Sequence, residues 1–417
     1  MTNKPRILFH SECSLFAGCE RMLINFFNDQ DLRSEFDISF VTGNSMRYID
    51  ELTALHQPDF DVCQLRFPKQ FHPSQDFKFA PRIVSVFCRK VTEVFYRIPL
   101  IVVDVCLLIP NLKRIKPDVV HINNGGYPGN LSSRAMVLAA RITGVRSIYM
   151  VVNNEAMGYV QIHRWFDRPI DWLISRSISK FITGSTSSSK RLTSLLKLRD
   201  QKVLSFPNGV IFRAADESIL LTKSRVGIEE GYSGLIGLVV SRFEHRKGHS
   251  VLLDAIYNLR QRGLVSDKNL RIVFEGSGPE FQVILEKIKS LDLASMIIIV
   301  RDERNIANLY NLSDFLISPS IGEEDFSNVI SEAMSHGLCV IATKVGGAPE
   351  QVVDCVTGLL VTPMDSMELG NAIVKIISDH GFTRTAGICG HDRYLEKFTP
   401  KIAVERYLNL YREATAS

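Results

Sequence analysis

Short runs of aliphatic and β-branched residues alternate with segments of helical periodicity along the whole chain. PRILFH (5–10), FDISFVTG (36–43), PDVVHINN (117–124), SIYMVVNN (147–154) and KFITGST (180–186) each have strand length and strand composition. Between the first two, AGCERMLINFFND places Met22, Leu23, Phe26 and Phe27 at helical spacing. Strands that alternate with helices predict parallel sheets covered on both faces. A Pro-Asn-Gly turn signal stands in VLSFPNGVIF (203–212). After it the pattern begins again with GLIGLVVSRF, LRIVFEGSG, SMIIIVR, DFLISPS, LCVIATKVGG and TGLLVTP. At 417 residues the chain is also too long for one comfortable core. The pattern therefore predicts an α/β protein of two Rossmann-like, doubly wound parallel-sheet domains, residues 1–206 and 207–390, facing a ligand cleft. A helix over 391–417 has Ile402, Val404, Tyr407, Leu408 and Leu410 available for packing.

Composition narrows the class without changing it. Hydrophobic residues make up 45% and charged residues 23%, which is ordinary for a folded domain. The eight cysteines show no CxxC or Cys/His ligand spacing, so reduced thiols of a cytoplasmic protein are expected, with no metal site. The longest apolar run, Ile98 to Pro110, is interrupted by Asp104 and falls short of the ~20 residues of a spanning helix. Charge is uneven: residues 1–206 hold 27 Lys and Arg against 18 Asp and Glu, and residues 207–417 hold 22 against 27. The basic first half would meet an anionic surface or acceptor. Ten basic residues from Arg66 to Lys116 are interleaved with seven aromatics from Phe67 to Tyr96. That mixture fits peripheral docking on anionic lipid, at the inner face of the cytoplasmic membrane, and fits equally a core helix with a solvated basic face. No nucleic-acid module accompanies it, so nucleic acid is not an expected partner.

The second half carries the candidate chemistry. After DFLISPS (314–320) comes the loop IGEEDFS, then NVISEAMSHG, a helical pattern with Asn328 near its start and Gly337 past its end. A helix opening at the carboxyl end of a parallel strand offers free amides and the positive end of its dipole, a seat for phosphate. Glu332 is then within reach of such a ligand and can accept from sugar hydroxyls, with Glu324 placed for a second sugar; dipole capping and surface solvation explain both equally. VVSRFEHRKGHSVLLDA (239–255) sets Arg242 and Lys247 past another strand end. An arginine fork and a lysine point charge suit a diphosphate, although either alone reads as solvated surface. FEGSGPE (274–280) adds a third strand-to-glycine turn at Gly276. In the first half, His121 falls toward the end of an expected strand facing the cleft, as a candidate contact to acceptor or donor or as a structural histidine.

SRFEHRKG, FEGSGPE, EDFSNVISEAMSHG and VGGAPE, in this order and spacing, resemble the donor domain of the GT-B glycosyltransferases, specifically the retaining family 4, or group 1. Glu324 and Glu332 match that family's E-x7-E pair, SFPNGV resembles its interdomain crossover, and FAGCERMLINFF resembles its acceptor-side glycine loop. The resemblance implies that Arg242 and Lys247 hold the donor diphosphate and stabilise the leaving group. It implies that Glu332 binds the nucleotide ribose and Glu324 the transferred hexose. Amides around Phe326, Ser327, Asn328 and Val329 would meet sugar or phosphate, Gly276 would line the donor site, and Gly18 would let the first-domain loop approach the donor. The donor would be a UDP- or GDP-sugar and the acceptor a glycan or lipid-linked glycan of bacterial surface polysaccharide. No cofactor and no metal would be needed, and the C-terminal helix would cross back to the first domain. The pattern is broken in three places: Asn153 and Asn154 stand where the family carries a histidine, Ala17 where a first glycine is common, and Arg301 where a glycine borders the nucleobase. Two other function classes remain as alternatives, a sugar-nucleotide-binding partner without turnover and another GT-B enzyme such as an epimerase.

Overall fold

In the computed structural model, which describes residues 4–12, 18–55, 60–68, 97–322 and 324–416, the apolar runs form two all-parallel sheets. The first contains β1 (Arg6–Ser11), β2 (Asp37–Gly43), β3 (Asp61–Leu65), β4 (Val119–Asn124), β5 (Ser147–Val152), β6 (Lys180–Thr183) and β7 (Val203–Ser205). Its order is β3-β2-β1-β4-β5-β6-β7. The second contains β8 (Leu235–Val240), β9 (Leu270–Glu275), β10 (Ile297–Val300), β11 (Phe315–Ser318), β12 (Cys339–Thr343) and β13 (Gly358–Val361), in the order β10-β9-β8-β11-β12-β13. Each order reverses once, between β1 and β4 and between β8 and β11, which is the signature of a doubly wound sheet. Helices cover both faces, so central strands such as β4 and β12 are buried at every position, the polar His121, Asn123 and Asn124 of β4 included.

The chain divides into two compact units, residues 1–207 with 403–417, and residues 208–402. Residues 391–402, grouped in the sequence reading with the C-terminal helix, stay with the second unit; only from Ala403 does the chain join the first. There Val404, Tyr407, Leu408, Leu410 and Tyr411 are buried in the cluster that holds Phe9, Phe26 and Phe27. Arg412 ties the helix to Glu35, its Nε lying 2.8 Å from Oε2.

That cluster corrects the expectation for His121. Its side chain is 1% exposed, packed between Phe9 (4.8 Å), Phe26 (5.2 Å) and Tyr407 (5.5 Å), with Nδ1 2.5 Å from the Tyr411 hydroxyl. It sits mid-strand, on the face that the C-terminal helix covers, and is a core residue rather than a ligand contact. Burial pulls its pKa down to about 3, and burial likewise pulls His10 down to about 4. In the unfolded chain both titrate near ~6.5. The native state excludes the proton, so stability is complete above about pH 6.5 and is lost as pH falls below it toward the folded values. His121→Gln keeps an amide for the Tyr411 hydroxyl and removes the titration. Urea unfolding across this range should show the loss made shallower by about 1.4 kcal/mol per pH unit; an unchanged slope would assign the proton elsewhere.

Candidate functional site

β8 and β11 are hydrogen-bonded neighbours at the point where the second sheet reverses, so the loops leaving their carboxyl ends meet. The first carries Arg242 to Lys247 and the second Glu324 to Asn328. Lys247 Nζ forms a close ion pair with Glu324 Oε2. Arg246 Nη1 lies 3.5 Å from the same oxygen, and Ser320 Oγ donates to it over 3.3 Å. Glu244 Oε2 receives Arg246 Nε at 2.9 Å, and Glu244 Oε1 receives Arg242 Nε at 3.2 Å. The result is a row of three cations and two carboxylates. The Lys247 and Glu324 side chains are 14% and 15% exposed, where a pair is screened less than on open surface, whereas Arg242 is 68% exposed at the outer end. Arg246 and Glu244 are not among the expected site residues; their only signal in the sequence is their place in the EHRKG run.

The helix Asn328–Ser335 starts beside this row. Its N-cap, Ser327, is extended (φ −84°, ψ 102°) and makes no side-chain cap bond. The cap is held instead by Gln351, fully buried, from the short helix Ala348–Gln351. Gln351 Oε1 accepts the Ser327 amide at 3.1 Å, and Nε2 donates to Ser327 O at 2.8 Å and to Ser331 Oγ at 2.9 Å. The first amides of a helix have no acceptor within it, so those of Asn328 and Val329 sit at its positive end. Asn328 Oδ1 accepts from Asn208 Nδ2 at 3.0 Å, and buried Phe326 packs on Phe398 at 5.6 Å. One turn on, Glu332 Oε2 accepts the Tyr310 hydroxyl at 2.8 Å, while the Tyr310 ring stacks on His336 at 5.0 Å. Neither Gln351 nor Tyr310 carries a sequence signal, because each acts only through a long-range contact.

Two glycines bring these loops together. Gly276 has φ +142°, and a Cβ there would lie 2.0 Å from Ser241 O. The turn after β9 is therefore pressed against the loop bearing Arg242, with the Phe243 amide donating to Ser277 O at 2.9 Å. Gly346 has φ +53°, and a Cβ would lie 1.7 Å from Glu324 O, so VGGAPE clamps the loop before the helix. At the end of β9, Glu275 is pushed up to about 7, first by burial and then by the neighbouring carboxylates of Glu303, Asp302 and Glu332, against a hydrogen bond from the Glu303 backbone. Arg301 lies over the Phe281 ring at 4.7 Å. Among the described residues no three His, Cys, Asp or Glu converge as a metal site.

In the first unit, Gly18 opens the helix Gly18–Asn28, and the residues before it, 13–17, lie outside the described ones. Asn153 Nδ2 bridges to Asn123 Oδ1 at 2.8 Å and to Asn124 O at 3.0 Å, and Asn154 Nδ2 donates to Gly125 O at 2.5 Å. Both amides thus join the carboxyl ends of β4 and β5. Most of the basic and aromatic stretch expected to face lipid, residues 69–96, also lies outside the described residues. No helix among the described residues is long and apolar enough to cross a membrane.

Residues 235–379 match the model of the family described as glycosyl transferases group 1. An N-acetyl-alpha-D-glucosaminyl L-malate synthase of Bacillus anthracis is 28% identical over 189 residues, 45% of this chain and 48% of that protein. A lipopolysaccharide 1,2-N-acetylglucosaminetransferase of Salmonella typhimurium is 33% identical over 150 residues, 34% and 39% of the two chains. The chain thus spans about half or less of these relatives' length. The crystal structure of Anabaena Alr3699/HepE in complex with UDP superposes with a TM-score of 0.74 at 18% identity, over 98% of this chain and 100% of that one.

Removing the Gln351 amide strands the Ser327 backbone and the Ser331 hydroxyl in a dry interior. Gln351→Ala is expected to lower the unfolding free energy by about 2–4 kcal/mol in urea titration; a cost under about 1 kcal/mol would mean that the clamp does not hold the cap.

Proposed function

Residues 235–379 match the group 1 glycosyltransferases and the chain has the GT-B fold, and from that premise we propose that it is a retaining hexosyltransferase of family 4. The donor is a nucleotide diphosphate sugar, UDP- or GDP-linked, and the acceptor a glycan or lipid-linked glycan of bacterial surface polysaccharide. The observation that carries the reading is the meeting of Lys247, Arg246 and Glu324 beside the amides that open the 328–335 helix. A UDP-bound structure of the same fold and a relative named for lipopolysaccharide synthesis support the donor and acceptor classes.

In this reading the diphosphate takes the place of the two carboxylates. Lys247 and Arg242 exchange Glu324 and Glu244 for phosphate oxygens, and the helix amides complete the seat. Glu324, released from Lys247, accepts from hexose hydroxyls, while Glu332, steadied by Tyr310, accepts from the ribose. The bond from the anomeric carbon to the leaving phosphate oxygen breaks, and the acceptor oxygen attaches on the same face. The acceptor proton passes to the departing diphosphate. Fixed cations aimed at the growing negative charge supply the stabilisation, which leaves no role for a bound metal. The reaction takes place on the cytoplasmic side, where nucleotide sugars are available. A binding protein without turnover is the second reading, favoured by the engagement of the Asn153 amide with β4 in place of a titratable group.

Lys247→Ala and Glu324→Ala are each expected to reduce transfer at least ~100-fold, the loss typical of removing one preorganised charge-stabilising group. Far-UV circular dichroism should stay unchanged. Wild-type protein that binds nucleotide yet shows no turnover with any acceptor would favour the second reading. Screening UDP-, GDP- and ADP-sugars by thermal stabilisation identifies the base: a ligand at ~100 times its Kd adds about 2.7 kcal/mol of stability, and no stabilisation by any of the three would remove the donor assignment.

A further inference from the structure

The two tryptophans of the chain, Trp165 and Trp172, lie seven residues apart in the first unit, and each is 56% exposed. In the helix Arg168–Ser177 the exposed positions are Arg168, Pro169, Trp172, Leu173 and Arg176, the spacing of one helical face. Asp171, Ile174 and Ser175 on the other side are buried. The Arg168 guanidinium lies 4.3 Å from the Trp165 ring centre and 4.9 Å from that of Tyr159, and Arg176 lies 4.1 Å from Trp172. Phe166 and Val160 extend the apolar surface. Contiguous exposed aromatic surface of this kind marks an interaction site.

The charge on this face is segregated. Between Met157 and Lys180 the acidic residues are Asp167 and Asp171, and both are turned inward. Asp167 Oδ2 receives Arg164 at 2.7 Å and Arg134 at 3.2 Å, and Asp171 receives Arg164 at 3.0 Å and the hydroxyls of Tyr127 and Tyr159 at 2.9 Å each. Burial pushes Asp167 up, but the hydrogen bond and charge of Arg134 outweigh it and hold the carboxyl below its ordinary range. The acids are spent on anchoring the helix from behind, which leaves Arg168 and Arg176 as its outward charges. Beside it opens a cavity of about 290 Å³ between aromatic and aliphatic walls (Tyr159, Trp172, Leu195, Leu196), with Arg168 and Lys197 as its cations.

We propose that this face docks the protein on an anionic phospholipid bilayer, Trp165, Phe166 and Trp172 entering the headgroup boundary while Arg168, Arg176 and Lys197 pair with lipid phosphates. Aromatic rings with a polar edge settle at that depth, and an arginine stacked on a ring is carried there with it. The side-chain acceptors a glycan would find in the cavity are Ser175 and Asp171, the latter buried and already receiving Arg164, Tyr127 and Tyr159, whereas the outward charges of the helix are all cations. Its residues are other than those of the basic stretch 60–116, and vesicle binding is measured without sugar donor or acceptor, so the inference stands apart from the transfer reaction.

With no other tryptophan in the chain, tryptophan emission reports this face alone. The full chain is mixed with vesicles of phosphatidylcholine, with or without phosphatidylglycerol, and followed by emission and co-sedimentation. The anionic vesicles should sediment the protein and shift its emission to the blue, and pure phosphatidylcholine and high salt should weaken both. Arg168→Glu/Arg176→Glu should lose roughly tenfold or more in vesicle affinity. Trp165→Ala/Trp172→Ala should lose sedimentation with an unchanged melting temperature. Sedimentation without an emission shift would place the contact elsewhere. Absence of binding, or a shift produced by inorganic phosphate or a soluble oligosaccharide and not by vesicles, would overturn the proposal.

Discussion

The pairing of β8 with β11 is the constraint on which the candidate site depends. These strands are separated by about 75 residues of chain, and each is followed by a loop whose polar groups have little reason to cluster alone. Parallel pairing at the sheet's reversal point leaves no helix between the two carboxyl ends, so the loops must share one space. Lys247 and Glu324 become partners for that reason. Gly276 and Gly346 then remove the side chains that would hold neighbouring backbone apart.

The three cations of the row are each engaged by one of its two carboxylates before any ligand arrives, with one positive charge in excess. A half-buried lysine and glutamate left alone would each bear a desolvation cost, which their pairing offsets. The same pairing keeps both side chains in place at the mouth of the helix, so less order must be created when an anion binds. Gln351 and Tyr310 do for the cap and for Glu332 what Glu324 does for Lys247: each satisfies a polar group while fixing its direction.

The first unit uses buried polarity differently. His121 and His10 are held neutral by desolvation, the former inside the cluster that receives the C-terminal helix. Arg134 and Arg164 consume Asp167 and Asp171. One helix is thereby anchored from behind by charge and left aromatic and cationic in front. The net charge of its sequence, three arginines against two aspartates over residues 164–177, conveys nothing of that separation.

Periodicity alone determined the fold class and the position of most strands, because a buried strand needs a run led by apolar and β-branched residues and a parallel crossover needs a helix. Short, half-buried β3 and three-residue β7 lacked that signal, the latter legible only as part of VLSFPNGVIF. The places of Arg242, Lys247 and Glu324 in loops after strands, and of Glu332 in the helix that follows, were legible from the motifs that hold them. What the tertiary structure decided was pairing and direction. Arg246 joins Glu324, Gln351 holds Ser327, and Tyr310 holds Glu332 across 22 to 78 residues of chain. His121 turns into the core, where the sequence had it facing the cleft, since a strand alternates its faces and only the packed C-terminal helix determines which face is covered. Local pattern fixes which residues share an element; which groups touch across elements follows from strand order, and strand order is a property of the whole chain.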